Sequence, residues 1–212
     1  MEITKKALIF DLDNTIYEVR SIADKLFKPV YDLLEKEADL GDDLDEVKQE
    51  MMRRPFQKVA DEHGIDKKLA TKAIAILRDL RWEGRIEPFK DFQYAASLPL
   101  KKYLVTTGFR NMQESKVSAM QLDKIFEEIH IIDPEVTDKV KKDVFIEIIE
   151  RHAYQKADVV VLGDDPESEI KAGLELGVET ILYDKLNLYP QEKFVPRITD
   201  FHALNKFLKE ST

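Results

Sequence analysis

Two aspartates one residue apart close an apolar run, Ala7-Leu8-Ile9-Phe10-Asp11-Leu12-Asp13-Asn14-Thr15. Four apolar residues leading straight into charge predict a buried strand that ends at the rim of a sheet. Strand side chains alternate between faces, so Asp11 and Asp13 point the same way. Carboxylates held that close repel unless a cation or a shared proton relieves them. The pair is a candidate metal-dependent active site. The simpler reading is a strand end followed by a helix cap at Asn14 or Thr15.

Three more segments carry related chemistry. Leu104-Val105-Thr106-Thr107-Gly108 ends an apolar run in hydroxyls, and Gly108 permits close backbone approach. A hydroxyl with free N–H groups at a strand-to-helix junction suits a phosphate oxygen. The run Val159-Val160-Val161-Leu162-Gly163 leads into Asp164, Asp165 and Glu169, the hard oxygen donors that Mg²⁺ prefers. Gly41-Asp42-Asp43 repeats the same tripeptide with no strand before it and reads as a turn and helix cap. Context therefore marks residues 163–165. The last segment is Asp138-Lys139-Val140-Lys141-Lys142. One fixed ammonium there would neutralise crowded carboxylates and phosphate oxygens, and the other lysines read as a solvated helix start.

These motifs need elements to hold them. Residues 7–10, 102–105, 129–132, 158–162 and 179–183 are short apolar runs with little alternation, the pattern of parallel strands covered on both faces. Helical stripes separate the later runs: Val117 with Met120, Val140-Val144-Phe145-Ile148-Ile149, and Ile170 with Leu174. Asp200 predicts the N-cap of a last helix bearing Phe201, Leu204 and Leu208 on one face. The expected fold class is α/β, a doubly wound parallel sheet, with ligands beyond the carboxyl ends of the strands. Between the first two runs, Ile22-Leu26-Val30-Leu33, Val47-Met51 and Leu69-Ala73-Ile76-Leu80 repeat at helical spacing. Pro55 kinks or starts a helix there. Residues 17–89 read as an inserted all-helical cap, leaving 1–16 and 90–212 as a Rossmann-like core.

Composition narrows the function. The chain of 212 residues carries a formal net charge of −9, which argues against nucleic acid as a partner. An anionic substrate would need local positive charge in its pocket. No apolar stretch reaches transmembrane length, no membrane partner is expected, and no secretory signal is apparent, so the cytoplasm is the expected compartment. Cysteine is absent, which excludes disulfides and cysteine-ligated zinc. His63, His130, His152 and His202 are scattered without a two-histidine helical pair. Arg53, Arg54, Arg78, Arg81 and Arg85 read mainly as solvated helix faces, and Trp82 as packing.

Taken in order, the four motifs resemble those of the haloacid dehalogenase superfamily of hydrolases. The similarity is to the subgroup with a helical cap after the first motif, of phosphoglycolate phosphatase and pyrimidine nucleotidase type. The resemblance implies a nucleophile at Asp11 and an acid–base residue at Asp13, with Thr106 and Lys139 completing the catalytic set. Phosphate binding would fall to Thr106, Thr107, Gly108 and Lys139. Mg²⁺ would be held by Asp11, Asp13 through its backbone carbonyl, and Asp164, with Asp165 and Glu169 as further acidic positions. Lys139 is preferred over Lys141 and Lys142 because Phe145 follows at the spacing common in similar sequences. Thr107 stands where many relatives carry Asn, Glu169 replaces the usual second Asp, and the usual Lys-Pro of the third motif is absent. Family dehalogenases and phosphonatases lack an acid at position 13, whereas phosphatases and phosphomutases have it. The expected activity is a Mg²⁺-dependent phosphatase acting on a small phosphorylated metabolite through an aspartyl phosphate. Phosphoglycolate, nucleoside monophosphates and sugar phosphates all satisfy the motifs. The alternatives are a phosphomutase of the same fold and, in a different class, a non-catalytic receiver-like or partner-binding domain. Ile132-Asp133-Pro134 gives that last reading its phosphorylatable aspartate on the third strand.

Overall fold

The computed structural model describes residues 3–208, so the outermost residues of the predicted core, 1–2 and 209–212, lie outside it. The first strand, β1 (Ala7–Phe10), is completely buried. Leu8 and Phe10 enter one apolar cluster while Ala7 and Ile9 enter another. This is the alternation of a strand covered on both faces, and it explains why the run carries no polar residue.

After β1 come α1 (Arg20–Leu26), α2 (Lys28–Glu37), α3 (Leu44–Met51), α4 (Phe56–Glu62) and α5 (Lys67–Asp79). Pro29 lies in the first turn of α2, where its missing N–H breaks the continuity with α1 and tolerates a new start. Pro55 caps α4, and Gly41–Asp43 is an exposed 3₁₀ turn before α3. These helices bury Val30, Leu34, Val47, Val59, Leu69 and Ala73 in the same apolar cluster that holds Leu8 and Phe10.

The chain returns through α6 (Phe92–Ser97), β2 (Lys101–Thr107), α7 (Arg110–Ala119), β3 (Glu128–Ile132), α8 (Lys141–Arg151), β4 (Val159–Gly163), α9 (Lys171–Leu176), β5 (Glu179–Tyr183) and β6 (Arg197–Ile198). The sheet is parallel, in the order β3-β2-β1-β4-β5-β6. Strand β1 has β2 on one side and β4 on the other, so the winding reverses beside it. That is the topological switch point where open α/β sheets bind ligands. In register, Phe10 lies opposite both Leu104 and Leu162. The residues just beyond, Asp11, Thr106 and Asp164, therefore emerge at one end of the sheet.

The five predicted strands are present, and β6, only two residues long, was not anticipated. Val140 and Leu174 were expected on buried stripes but are exposed. Val140 precedes α8 as its N-cap, and in α9 the small residues Ala172 and Gly173, with Leu176, face inward instead. Asp200 caps as expected by accepting the His202 N–H at 2.8 Å, but the segment after it is a short 3₁₀ turn. No helix among the described residues is long and apolar enough to cross a membrane.

Candidate active site

Asp11 continues the line of β1, its N–H bonding the Leu162 carbonyl at 2.9 Å. Its Oδ1 lies 2.6 Å from Lys141 Nζ, which also lies 2.6 Å from Glu169 Oε2. All three side chains are buried. The second Glu169 oxygen accepts the Asp165 N–H at 2.7 Å. Glu169 thus anchors Lys141 and ties the β4 loop to it. Gly163 makes this possible: a Cβ there would fall 2.1–2.4 Å from the Glu169 side chain.

Asp164 completes the cluster. Asp11, Asp164 and Glu169 bring carboxylate oxygens within 4.8 Å of one another. Three carboxylates face one ammonium, Lys141, so about two negative charges remain uncompensated. Burial, opposed by Lys141 and reinforced by Glu169, pushes Asp11 up to about 7. Burial together with Glu169 and Asp11 holds Asp164 well above the usual carboxylate range. Lys141 keeps its proton because Asp11 and Glu169 outweigh its own burial. An all-oxygen donor set short of two positive charges fits a divalent hard cation such as Mg²⁺.

Two expectations are corrected here. Lys139 is not the buried cation: its side chain is half exposed and pairs with Glu147. Lys142 also faces outward, 2.8 Å from Glu175. The helix starts one residue after Val140, whose N–H is capped by Asp143 at 2.9 Å. Only Lys141 then lies on the inward stripe with Val144, Phe145 and Ile148. Secondly, Asp165 is a cap, its Oδ1 accepting the Glu167 N–H at 2.9 Å, and it stands outside the acidic cluster. The Asp13 carboxylate also stands outside that cluster, in keeping with the expectation that only its backbone carbonyl would serve a cation.

Asp13 has partners of its own that the sequence reading missed. Tyr17 Oη donates to its Oδ1 at 2.6 Å. Gln113 Nε2 donates to Oδ2 at 3.0 Å, and Lys116 Nζ lies 2.9 Å from both oxygens. Burial opposes its charge, but Lys116 and these hydrogen bonds prevail, so the carboxyl titrates below its ordinary range. The missed signal was legible. Met112, Gln113, Lys116 and Val117 form the buried stripe of α7, and two polar residues on an apolar stripe ask for buried partners.

Thr106 and Thr107 end β2, and Thr106 Oγ1 accepts from Gln113 at 2.7 Å. A cavity of about 1340 Å³ opens over these strand ends and is lined by Asp11, Asp13, Thr106, Lys141 and Asp164, with Arg53 and Phe56 from the helical insert. Asp133, the residue a receiver-like reading needs, is otherwise engaged. Its Oδ2 accepts the Arg110 N–H at 2.9 Å and its Oδ1 the Glu135 N–H at 3.0 Å. It follows β3, the edge strand beside β2, and caps α7.

A family model for haloacid dehalogenase-like hydrolases matches residues 5–177. The chain is similar to a glyceraldehyde 3-phosphate phosphatase of Methanopyrus kandleri, at 23% identity over 197 residues, covering 83% of this chain and 82% of the relative. Among solved structures it resembles a haloacid dehalogenase-like family hydrolase of Streptococcus pneumoniae, with a TM-score of 0.69 and 15% identity, covering 96% of this chain and 99% of the other. It also resembles YfnB of Bacillus subtilis, solved with magnesium bound, with a TM-score of 0.65 and 20% identity, covering 96% and 98%. With the matched region spanning β1 to α9 and the motif residues gathered at one end of the sheet, this chain belongs to the haloacid dehalogenase-like hydrolases.

Proposed function

We propose that this hydrolase is a Mg²⁺-dependent phosphatase acting on a small phosphate monoester. The observation that carries the reading is the separation of the two aspartates. Asp11 sits among Lys141, Asp164 and Glu169, where a phosphoryl group and a cation would meet. Asp13 sits among Lys116, Gln113 and Tyr17, whose donors hold its carboxylate ionised and fixed in the free enzyme, ready to accept a proton. Two carboxylates in such different environments divide into two roles.

In this mechanism an Asp11 oxygen attacks phosphorus and the bond to the ester oxygen breaks, while Asp13, ionised in the free enzyme, takes up the proton of the entering monoanionic ester and passes it to the departing alkoxide. Water then attacks the aspartyl phosphate, its proton passes to Asp13, and the bond between Asp11 and phosphorus breaks. Thr106, the N–H groups of the turn that follows Thr107, and Lys141 hold the phosphoryl oxygens, the Gly108 N–H being engaged by the Ile132 carbonyl at 3.0 Å. Asp11, Asp164 and the Asp13 carbonyl would hold Mg²⁺. When bound, the ion cancels the carboxylate charge and lets an anionic nucleophile approach an anionic ester. The helical insert over residues 17–89 serves as the cap that selects the ester. The Methanopyrus relative, a phosphatase by name, supports the class of reaction, and small phosphorylated metabolites are the proposed partners.

The test is phosphate release from a panel of sugar, nucleoside and carboxylic-acid phosphates with Mg²⁺. Asp11→Asn should lower kcat by about 10³-fold or more, as loss of a covalent nucleophile does. Absence of Mg²⁺-dependent release from every ester would remove this reading. Isomerised ester without free phosphate would favour a mutase.

A further inference from the structure

A carboxylate has about four acceptor positions. In Asp13 all four are taken by side chains: Tyr17 and Lys116 on Oδ1, Gln113 and Lys116 on Oδ2. Gln113 does more than bond Asp13. Its Nε2 also donates to Thr106 Oγ1 at 2.7 Å and lies 3.2 Å from the Thr107 carbonyl. One amide therefore spans the carboxylate after β1 and the hydroxyl ending β2. Because Thr106 accepts from Gln113, its own proton is left for a phosphoryl oxygen.

The surroundings are built for this contact. Gly108, at φ 154°, has the Gln113 side chain 3.2 Å from where a Cβ would stand. Both Gln113 and Lys116 are almost wholly buried, and Gln113 Oε1 has no partner. Lysine is rarely buried, and replacing a buried ion pair with apolar residues is often neutral or stabilising. Stability is therefore a weak reason to keep Lys116 here.

We propose that Gln113 and Lys116 are positioning residues, a clamp that fixes the Asp13 carboxylate and the Thr106 hydroxyl relative to the Asp11 nucleophile. The proposal rests on the phosphatase reading. It assigns neither residue a contact with the reacting atoms; both act through Asp13 and Thr106.

Leaving groups test it. A dinitrophenolate departs without a proton, whereas an alkoxide needs one, so misplacing the proton donor penalises alkyl esters selectively. Lys116→Met and Gln113→Met are assayed with Mg²⁺ on an alkyl phosphate and on dinitrophenyl phosphate, each in the wild-type and Asp13→Asn backgrounds. In the wild-type background kcat/KM for the alkyl ester should fall by about 10²-fold, within the usual range for acid–base catalysis, and far less for the dinitrophenyl ester. In the Asp13→Asn background the same substitutions should cost little more, because residues acting through a shared group are non-additive. Lys116→Arg should recover part of the alkyl-ester rate. Equal losses on both esters, full additivity with Asp13→Asn, or wild-type rates in both variants would overturn the clamp while leaving the phosphatase reading intact. Thermal melts identify a variant that does not fold, and Gln113→Met, which removes no charge, then carries the comparison. A wild type inactive on both esters overturns the phosphatase reading and the clamp with it.

Discussion

Three lysines stand within four positions, and one of them, Lys141, is enclosed by Asp11 and Glu169. Its charge holds Asp11 in place and balances part of the acidic cluster. Lys141→Ala should therefore cut kcat/KM for any accepted phosphate ester by about 10²-fold or more, since it removes a fixed cation from a buried site. Lys139→Ala should change it by less than about twofold, because an exposed ion pair such as Lys139–Glu147 contributes little. Parallel steady-state kinetics on the two variants decide the assignment. A loss centred on Lys139 would return the role to the residue that sequence spacing favoured. At this scale the sequence named Asp11, Asp13, Thr106 and Asp164 because each ends an apolar run. It could not choose the lysine, because that depends on where α8 begins and which way its first turn faces. Its stripe with Val144, Phe145 and Ile148 was the available clue.

Elements carry the next level of constraint. The end of β4 and the turn after it cross so closely that Gly163 has no room for a side chain. Gly163→Ala must displace Glu169, and with it Lys141. The expected result is a loss of about 1–3 kcal/mol in denaturant unfolding, as for overpacking elsewhere, together with a fall in activity. A fully active, equally stable Gly163→Ala would show that Glu169 does not hold Lys141. Asp133 works on another element. It caps α7, so Asp133→Ala should cost about 1 kcal/mol of stability while leaving the Mg²⁺-dependent chemistry in place. Loss of a covalent phosphate on Asp133→Ala, with Asp11 unlabelled, would instead revive the receiver-like reading. The elements themselves were largely legible. Short apolar runs marked β1 to β5, whereas β6 is too short to leave a pattern. The stripes failed at Val140 and Leu174, where periodicity alone does not show whether a position is the cap or the outward face of a short helix.

Over the whole molecule, the switch point beside β1 sets three carboxylates, Asp11, Asp164 and Glu169, against the single ammonium of Lys141. In the metal-free protein Asp11, facing Lys141, Glu169, Asp13 and Asp164, titrates at about 7 against 3.8 for the ordinary value. Its folded-state pKa is raised, so the native state binds the extra proton. The stabilisation this brings is complete below about pH 4 and is lost as pH rises through 7. Asp164 adds to the same trend. Thermal melts of metal-free protein should therefore show Tm falling from pH 5 to pH 8. Mg²⁺ should restore more stability at pH 8 than at pH 5, reaching about 2.7 kcal/mol when present at a hundred times its Kd. Asp164→Asn should flatten that response. A Mg²⁺ effect equal at both pH values, or unchanged in Asp164→Asn, would place the cation elsewhere.

The sequence by itself determined the family, the parallel sheet, the helical insert between β1 and β2, and the acidic strand ends. These are written in local patterns: apolar runs, their boundaries and helical periodicity, each set by neighbours along the chain. Only the tertiary structure decided that Lys141 is the buried cation, that Asp165 and Asp133 are caps, and that Gln113, Lys116 and Tyr17 surround Asp13. Those facts depend on side chains from distant segments meeting in one low-dielectric space. There a charge is tolerated only opposite its partner, and spacing along the chain does not record which partner arrives.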